Sequence, residues 1–273
     1  QPVRHKDLWG TATARYQRGE AGRDGEWVLA EPLPDLWHVR WNSVKLKLKA
    51  TPFGHVGAFP EQAENWAWLQ RQIERRQESD PGERKVTPPV RMINLFAYTG
   101  GSTLAAAAAE AEVVHVDAAR NVVNCARENS DFSGCTESNI RWMTEDAAKF
   151  AAREVRRGRR YEIIVLDPPS YGHGPQGQPW RLKQDLPALL ADCAALLADR
   201  PLGVLFTCHS PEFDHHEMAR ALSEAGFPLD RGELTARELT LPTADGRQLG
   251  SGYVVRWEPE PLSQGDSIHS MRQ

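Results

Sequence analysis

Four residues in this 273-residue chain stand where side-chain chemistry is usually done. Asp117, Asp146 and Asp167 each follow a short apolar run, at 113–116, 139–143 and 163–166, and Cys208 closes a fourth at 202–208. An acid at the carboxyl end of a parallel strand can accept hydrogen bonds from a ligand lying across that edge of the sheet. A thiol at the same edge can add to an electrophilic carbon. Plainer roles compete. Asp117 and Asp146 precede helical stretches and could cap them, and a buried cysteine packs well as a small hydrophobe.

The turn before Asp117 narrows the ligand. The strand at 91–96 runs into Tyr98-Thr99-Gly100-Gly101-Ser102 and an alanine-rich helix at 102–111. A dinucleotide needs G-x-G-x-x-G so that backbone N–H groups can approach its pyrophosphate, and that spacing is absent. Asp117 still suits the two hydroxyls of a ribose. S-adenosylmethionine keeps the adenosine and replaces the pyrophosphate by a sulfonium amino acid, which asks for close backbone approach and no phosphate cradle. Asp146 would then reach the adenine amino group, with the Ala147 N–H beside it.

These residues need a sheet to position them, and the pattern supplies one. After the strand at 91–96, helices at 102–111, 119–130, 146–157, 184–198 and 214–225 alternate with strands at 113–117, 139–143, 161–166 and 202–208, which predicts parallel pairing with right-handed crossovers. Alternating runs on both sides of Thr243-Ala244-Asp245-Gly246, within 234–257, predict a terminal antiparallel hairpin. The fold class is α/β: a Rossmann-like domain over 90–260, with a mostly parallel sheet. Residues 1–77 are rich in Trp and alternate at 37–41 and 44–49, which predicts a small β-rich domain joined by a helix at 62–76. Residues 78–89 are polar and proline-rich and form the predicted linker, and 261–273 a tail.

The motifs together resemble a known family. Residues 94–101 (NLFAYTGG), Val116-Asp117, Glu145-Asp146-Ala147 and Asp167-Pro168-Pro169-Ser170-Tyr171 are similar to the class I S-adenosylmethionine-dependent methyltransferases of the bacterial 23S ribosomal RNA type, the group of large-subunit methyltransferases I and K. Residues 57–65 are similar to that family's G-x-x-x-D-Q-R-x-N segment, with Glu61 in place of Asp and Ala63 in place of Arg. The resemblance implies S-adenosylmethionine as cofactor, S-adenosylhomocysteine as product and RNA as partner. It places cofactor contacts at Gln62, Phe96, Ala97, Tyr98, Thr99, Gly100, Gly101, Asp117, Ala118, Asp146, Ala147 and Asp167.

On the acceptor side, Pro168 and Pro169 end a strand and stiffen the loop in which Asp167 and Tyr171 would meet a base, although Ser170 intervenes before the aromatic ring. Thr207-Cys208 resembles the Thr-Cys segment of RNA 5-methylcytosine methyltransferases, with His209 in place of the usual Ser. Cytosine carbon-5 becomes nucleophilic once a thiolate has added at carbon-6, which makes Cys208 the expected nucleophile and cytosine carbon-5 the preferred target. Two other readings stay open: methylation of a guanine nitrogen without covalent catalysis, and a small-molecule or protein substrate.

The net charge of −4 favours no polyanion over the whole chain, so an RNA partner needs a local basic surface. Lys45, Lys47 and Lys49 along one strand face, and the arginines at 153–160, are the candidates. Cys125, Cys135, Cys193 and Cys208 have no metal-ligand spacing, and neither do His173, His209, His215 and His216, so no metal is expected. With no apolar run long enough for a membrane and no apolar leader at the start, a cytoplasmic enzyme with reduced thiols is expected. Oligomeric state is open.

Overall fold

Alternation in the Trp-rich segment folds locally into two hairpins. In this computed structural model, which describes residues 9–19, 24–78 and 88–260, β1 (Ala14–Gln17) pairs antiparallel with β2 (Glu26–Leu29), and β3 (His38–Trp41) with β4 (Val44–Lys47). Val44 and Leu46 on β4 are buried, so this short hairpin has one face against the body of the protein. A 3-10 turn at Pro60–Gln62 leads into α1 (Ala63–Glu78), whose Trp66, Leu69 and Ile73 recur at helical spacing and are buried. Most of the linker expected at 78–89, and the tail at 261–273, lie outside the described residues.

The alternating part folds as expected. In chain order it comprises β5 (Arg91–Leu95), α2 (Gly101–Ala108), β6 (Glu112–Asp117), α3 (Arg120–Ser133), β7 (Ile140–Thr144), α4 (Ala147–Arg156) and β8 (Ile163–Leu166). A small hairpin of β9 (Tyr171–His173) and β10 (Pro179–Arg181) follows, then α5 (Leu182–Leu196), β11 (Gly203–Cys208), α6 (His215–Glu224), β12 (Gly232–Pro242) and β13 (Gln248–Pro259). The seven-stranded sheet has the order β12-β13-β11-β8-β5-β6-β7, with β13 antiparallel to β11 and β12. The central strands are buried on both faces: all four residues of β8 and all six of β11.

Two apolar layers cover the sheet. Phe150 of α4, Leu189 and Leu190 of α5, and Met218 and Leu222 of α6 pack on one face, and Trp68, Leu69 and Ile73 of α1 with Ala106 and Ala107 of α2 on the other. Because β5 pairs with β6 on one side and β8 on the other, the winding reverses between β5 and β8. A crevice opens at the carboxyl ends of those two strands, and it is the place where such sheets bind ligands. Among the described residues no helix is long and apolar enough to cross a membrane.

The second hairpin, β3–β4, is tied to the sheet through α3. Asn129 and Ser133, one helical turn apart, accept from the Lys47 and Lys45 N–H groups at 2.9 and 2.8 Å, so the outer edge of β4 is paired. Asn129 also donates to the Thr99 carbonyl at 3.0 Å, and the Thr99 hydroxyl donates to the Gly57 carbonyl at 2.6 Å. The turn after β5 is thereby fixed from two directions.

Candidate active site

The turn between β5 and α2 is held in a conformation that its sequence would not choose. Phe96 and Tyr98 have φ of 57° and 49°, in the left-handed region that side chains with a Cβ avoid at a cost of roughly 1–2 kcal/mol each. Specific bonds hold it there: the Ala97 N–H donates to the Val116 carbonyl at 3.0 Å and the Tyr98 N–H to Asp117 Oδ2 at 3.0 Å. The Ala119 N–H donates to Asp117 Oδ1 at 2.9 Å. Burial pushes the Asp117 carboxyl above the usual range, and the two amides pull against it. Each oxygen keeps a lone pair, so the acid can also accept from a pair of ribose hydroxyls. Ala118 continues the rim, half-buried.

Asp146 is the N-cap of α4, with Oδ1 accepting from the Lys149 N–H at 2.9 Å, and Ala147 is the buried first residue of that helix. The plainer role is therefore filled, and the second carboxylate oxygen lies beyond that bond. Asp146 and Ala147 sit on the same rim as Asp117, one strand further out.

Over the ends of β5, β8 and β11 lies a cleft, with Gln62 and Trp66 on one wall, Phe96, Ala97, Tyr98, Thr99 and Gly101 on the second, and Asp167 and Thr207 on the third. Gly101 is required by contact: a Cβ there would lie 2.5 Å from Cζ2 of the buried Trp66 ring. Gly100 caps α2 just outside. Gln62 is fixed by a buried chain in which its Nε2 donates to Thr207 Oγ1 at 3.4 Å, its Oε1 accepts from Asn65 at 2.6 Å, and Asn65 accepts from Arg256 Nε at 2.9 Å. The structure thus brings together seven of the cofactor candidates, with Gly100 and Asp117 directly behind the turn.

Asp167 forms the floor of the acceptor side. Its side chain is 30% exposed, yet Oδ1 is buried and makes no hydrogen bond. Burial raises this carboxyl, while the His209 ring and the Thr207 hydroxyl favour its charged form. Pro168 is buried and Pro169 exposed, its carbonyl accepting from Trp180 Nε1 at 2.8 Å. That bond closes β9 and β10 over the loop. The sequence reads 171–179 as a Gly- and Pro-rich loop, whereas it begins and ends in strand, because three residues of each arm pair. Tyr171 is 56% exposed and meets His173 Nε2 at 3.0 Å, outside the cleft lining.

Cys208 occupies the alternate face of β11 from Thr207. Its side chain is fully buried in the core with Phe206 and Met218, and Sγ accepts from the Ser210 N–H at 3.5 Å. Burial pushes its pKa up to about 11, against that amide. In this conformation the thiol is protonated and does not line the cleft.

Sequence reasoning missed the company that Asp167 keeps. His209 Nε2 lies 3.8 Å from Asp167 Oδ1, and His209 Nδ1 lies 4.0 Å from Oε1 of the buried Glu61. Both residues are visible in the sequence only as departures from the family pattern, and that was the available signal. Among the described residues no three His, Cys, Asp or Glu side chains gather as metal ligands. Four of the eight basic candidates are engaged. Lys47 pairs with Glu128 at 3.2 Å and Lys45 lies over the Phe132 ring, while Arg153 pairs with Glu145 and Arg157 with Glu154.

Comparison with known proteins agrees with this geometry. A model of the S-adenosylmethionine-dependent methyltransferase family matches residues 9–228. A solved structure of the S-adenosylmethionine-dependent methyltransferase from Agrobacterium tumefaciens superposes with a TM-score of 0.84 at 36% identity, covering 95% of this chain and 81% of that one. The ribosomal RNA large subunit methyltransferase I of Aeromonas hydrophila is 36% identical over 88 residues, and that of Erwinia tasmaniensis 28% over 97. Those segments are 32% and 35% of this chain and span only 22% and 24% of the two relatives.

Proposed function

Because the chain belongs to the S-adenosylmethionine-dependent methyltransferase family, we propose that it methylates a base of ribosomal RNA, with 23S ribosomal RNA as substrate and cytosine carbon-5 as the preferred position. S-adenosylmethionine supplies an electrophilic methyl group, and the residues present fit it. The turn at 96–101 offers close backbone approach, Asp117 offers paired acceptors for a ribose, and the cleft ends against Asp167. The domain division read from the sequence belongs to the proposal, with residues 1–77 recognising RNA and 90–260 carrying the reaction in the cytoplasm.

The observation that carries the acceptor side is the unpartnered Asp167 Oδ1 at the cleft floor, beside the end of β11. A buried acceptor left empty costs about 1–3 kcal/mol, and an exocyclic amine of a base would fill it. On the covalent route the Cys208 thiol loses its proton and adds to carbon-6, making carbon-5 nucleophilic. After carbon-5 is methylated its proton leaves, the bond from sulfur to carbon-6 breaks, and the thiol is restored. Asp167 holds the base or takes that proton. Because the thiol is buried and protonated, this route requires the segment after Cys208 to move when RNA docks.

That burial favours a second reading, a guanine nitrogen methylated without a covalent bond. Transfer of labelled methyl groups to 23S ribosomal RNA by the wild type and by Cys208→Ala separates the two. The carbon-5 reading expects no product from the variant, and full activity there leaves the nitrogen reading. A protein that binds S-adenosylmethionine by calorimetry but labels no RNA would sink both.

A further inference from the structure

His209 lies between two carboxylates that come from distant parts of the chain. Its Nε2 is 3.8 Å from Asp167 Oδ1 and its Nδ1 is 4.0 Å from Glu61 Oε1, within ion-pair reach and beyond a hydrogen bond. Glu61 is 8% exposed, and burial raises its carboxyl as it does that of Asp167. Two buried anions this close to one another are costly unless a cation stands between them.

The ring is boxed in that place. Phe59 packs against it with centroids 5.6 Å apart, and Phe59 in turn packs on Tyr98 of the cofactor turn. Gly252 has φ of 108°, and a Cβ there would come within 2.9 Å of His209 Nδ1 and 2.7 Å of the Cys208 carbonyl. Any other residue at 252 would displace the ring. The groups facing His209 are therefore Glu61 from the turn at 60–62, Asp167 from the end of β8, the neutral Phe59 ring, the backbone at Gly252 and, along its own strand, the protonated Cys208. One side of the imidazole stays open, since the side chain is 35% exposed.

We propose that His209 is a positioning residue for methyl transfer: clamped between Glu61 and Asp167, its ring directs the Asp167 carboxylate at the acceptor, and Glu61 holds the ring in that place. The inference rests on the methyl-transfer reading. It makes Glu61 and His209 one unit, since the ring is held from both sides.

The test follows the Asp167 carboxyl carbon by NMR titration in the free full-length protein, and the pH dependence of kcat on 23S ribosomal RNA, for the wild type, His209→Gln and Glu61→Gln. Removing the His209 ring, which favours the charged form of Asp167, should move the Asp167 midpoint and the acid limb of kcat up by about one pH unit, and removing the Glu61 carboxylate should move both down. In His209→Gln the affinity for S-adenosylmethionine should stay within about twofold while kcat falls, whereas a merely structural role would weaken both. An Asp167 midpoint unmoved in His209→Gln overturns the inference. Should that variant fail to fold, a Glu61→Gln midpoint that does not fall overturns it instead. If the wild type methylates no RNA, the titration still decides the inference, and the RNA reading falls on its own.

Discussion

The Tyr98 amide donates to the Asp117 carboxylate at 3.0 Å, which joins the left-handed turn after β5 to the end of β6. The strained backbone and the acid proposed to hold the ribose are therefore one unit, and neither keeps its geometry without the other. Asp117→Asn leaves one oxygen for the Ala119 N–H but can set an amide NH₂ against Tyr98. We expect S-adenosylmethionine to bind roughly 10- to 100-fold more weakly, the loss of one or two hydrogen bonds to a charged group. Calorimetry giving a Kd within twofold of the wild type would show that Asp117 has no such role.

Gly101 and Trp66 predict a second effect. A methyl group at 101 would meet the indole at 2.5 Å, and Trp66 is buried between α1 and α2 with Leu104 and Val44 as neighbours, so it has little room to retreat. Gly101→Ala should cost about 1–3 kcal/mol in urea unfolding through overpacking and should narrow the cleft. A variant as stable as the wild type with unchanged cofactor affinity would mean that α1 can slide away from the turn.

The parallel strands were legible because their apolar runs alternate with helical stretches, and β6, β8 and β11 end on or just before an acid or a cysteine, so the carboxyl edge of the sheet follows from their order. Asp117, Asp167 and the Gly100-Gly101 turn could be placed for that reason. What the sequence hid depends on contacts between distant segments. Lys45 and Lys47 alternate as a free basic strand face would, but α3 brings Phe132 and Glu128 under them. Residues 171–179 have loop composition, and it is the pairing of β9 with β10, docked by the Trp180 bond to the Pro169 carbonyl, that folds them into a hairpin. Cys208 ends its strand at the expected position, but strand alternation sends its thiol into the core while Thr207 takes the cleft side.

Acid should destabilise the protein partly through His115. This ring is fully buried on β6, and Thr103 Oγ1, which accepts from Asn94 at 3.0 Å, lies 2.9 Å from its Nδ1. Its Nε2 has no partner. Burial, helped by the charge of Arg127, lowers its pKa to about 3 from the usual 6.5. Between those values the unfolded chain binds a proton that the folded one refuses, so the stability contribution is full above pH 6.5 and is lost as pH falls toward 3. From pH 7 to pH 4 the loss is roughly 3 kcal/mol. Urea unfolding of His115→Asn should show a correspondingly flatter pH dependence, and equal slopes in the two proteins would remove His115 from the explanation.

Thiol labelling tests whether Cys208 is as closed as its surroundings require. Burial raises the Cys193 and Cys208 thiols, and both side chains are fully buried, whereas Cys125 is half-exposed on α3. In the free protein at pH 7.5 a maleimide should therefore modify Cys125 well before Cys208, which should react only as fast as the structure opens, because the thiolate is the reactive form and access is denied to it. The carbon-5 route requires that RNA change this: with S-adenosylhomocysteine and 23S ribosomal RNA fragments present, the segment after β11 must lift the thiol toward the base. Faster labelling of Cys208 in that complex, read by peptide mass spectrometry, or its trapping by a carbon-5-substituted cytosine, would support the covalent route. Continued protection in the complex, together with an active Cys208→Ala variant, would leave Asp167 to present a guanine nitrogen and would make Cys208 part of the core that sets the end of β11.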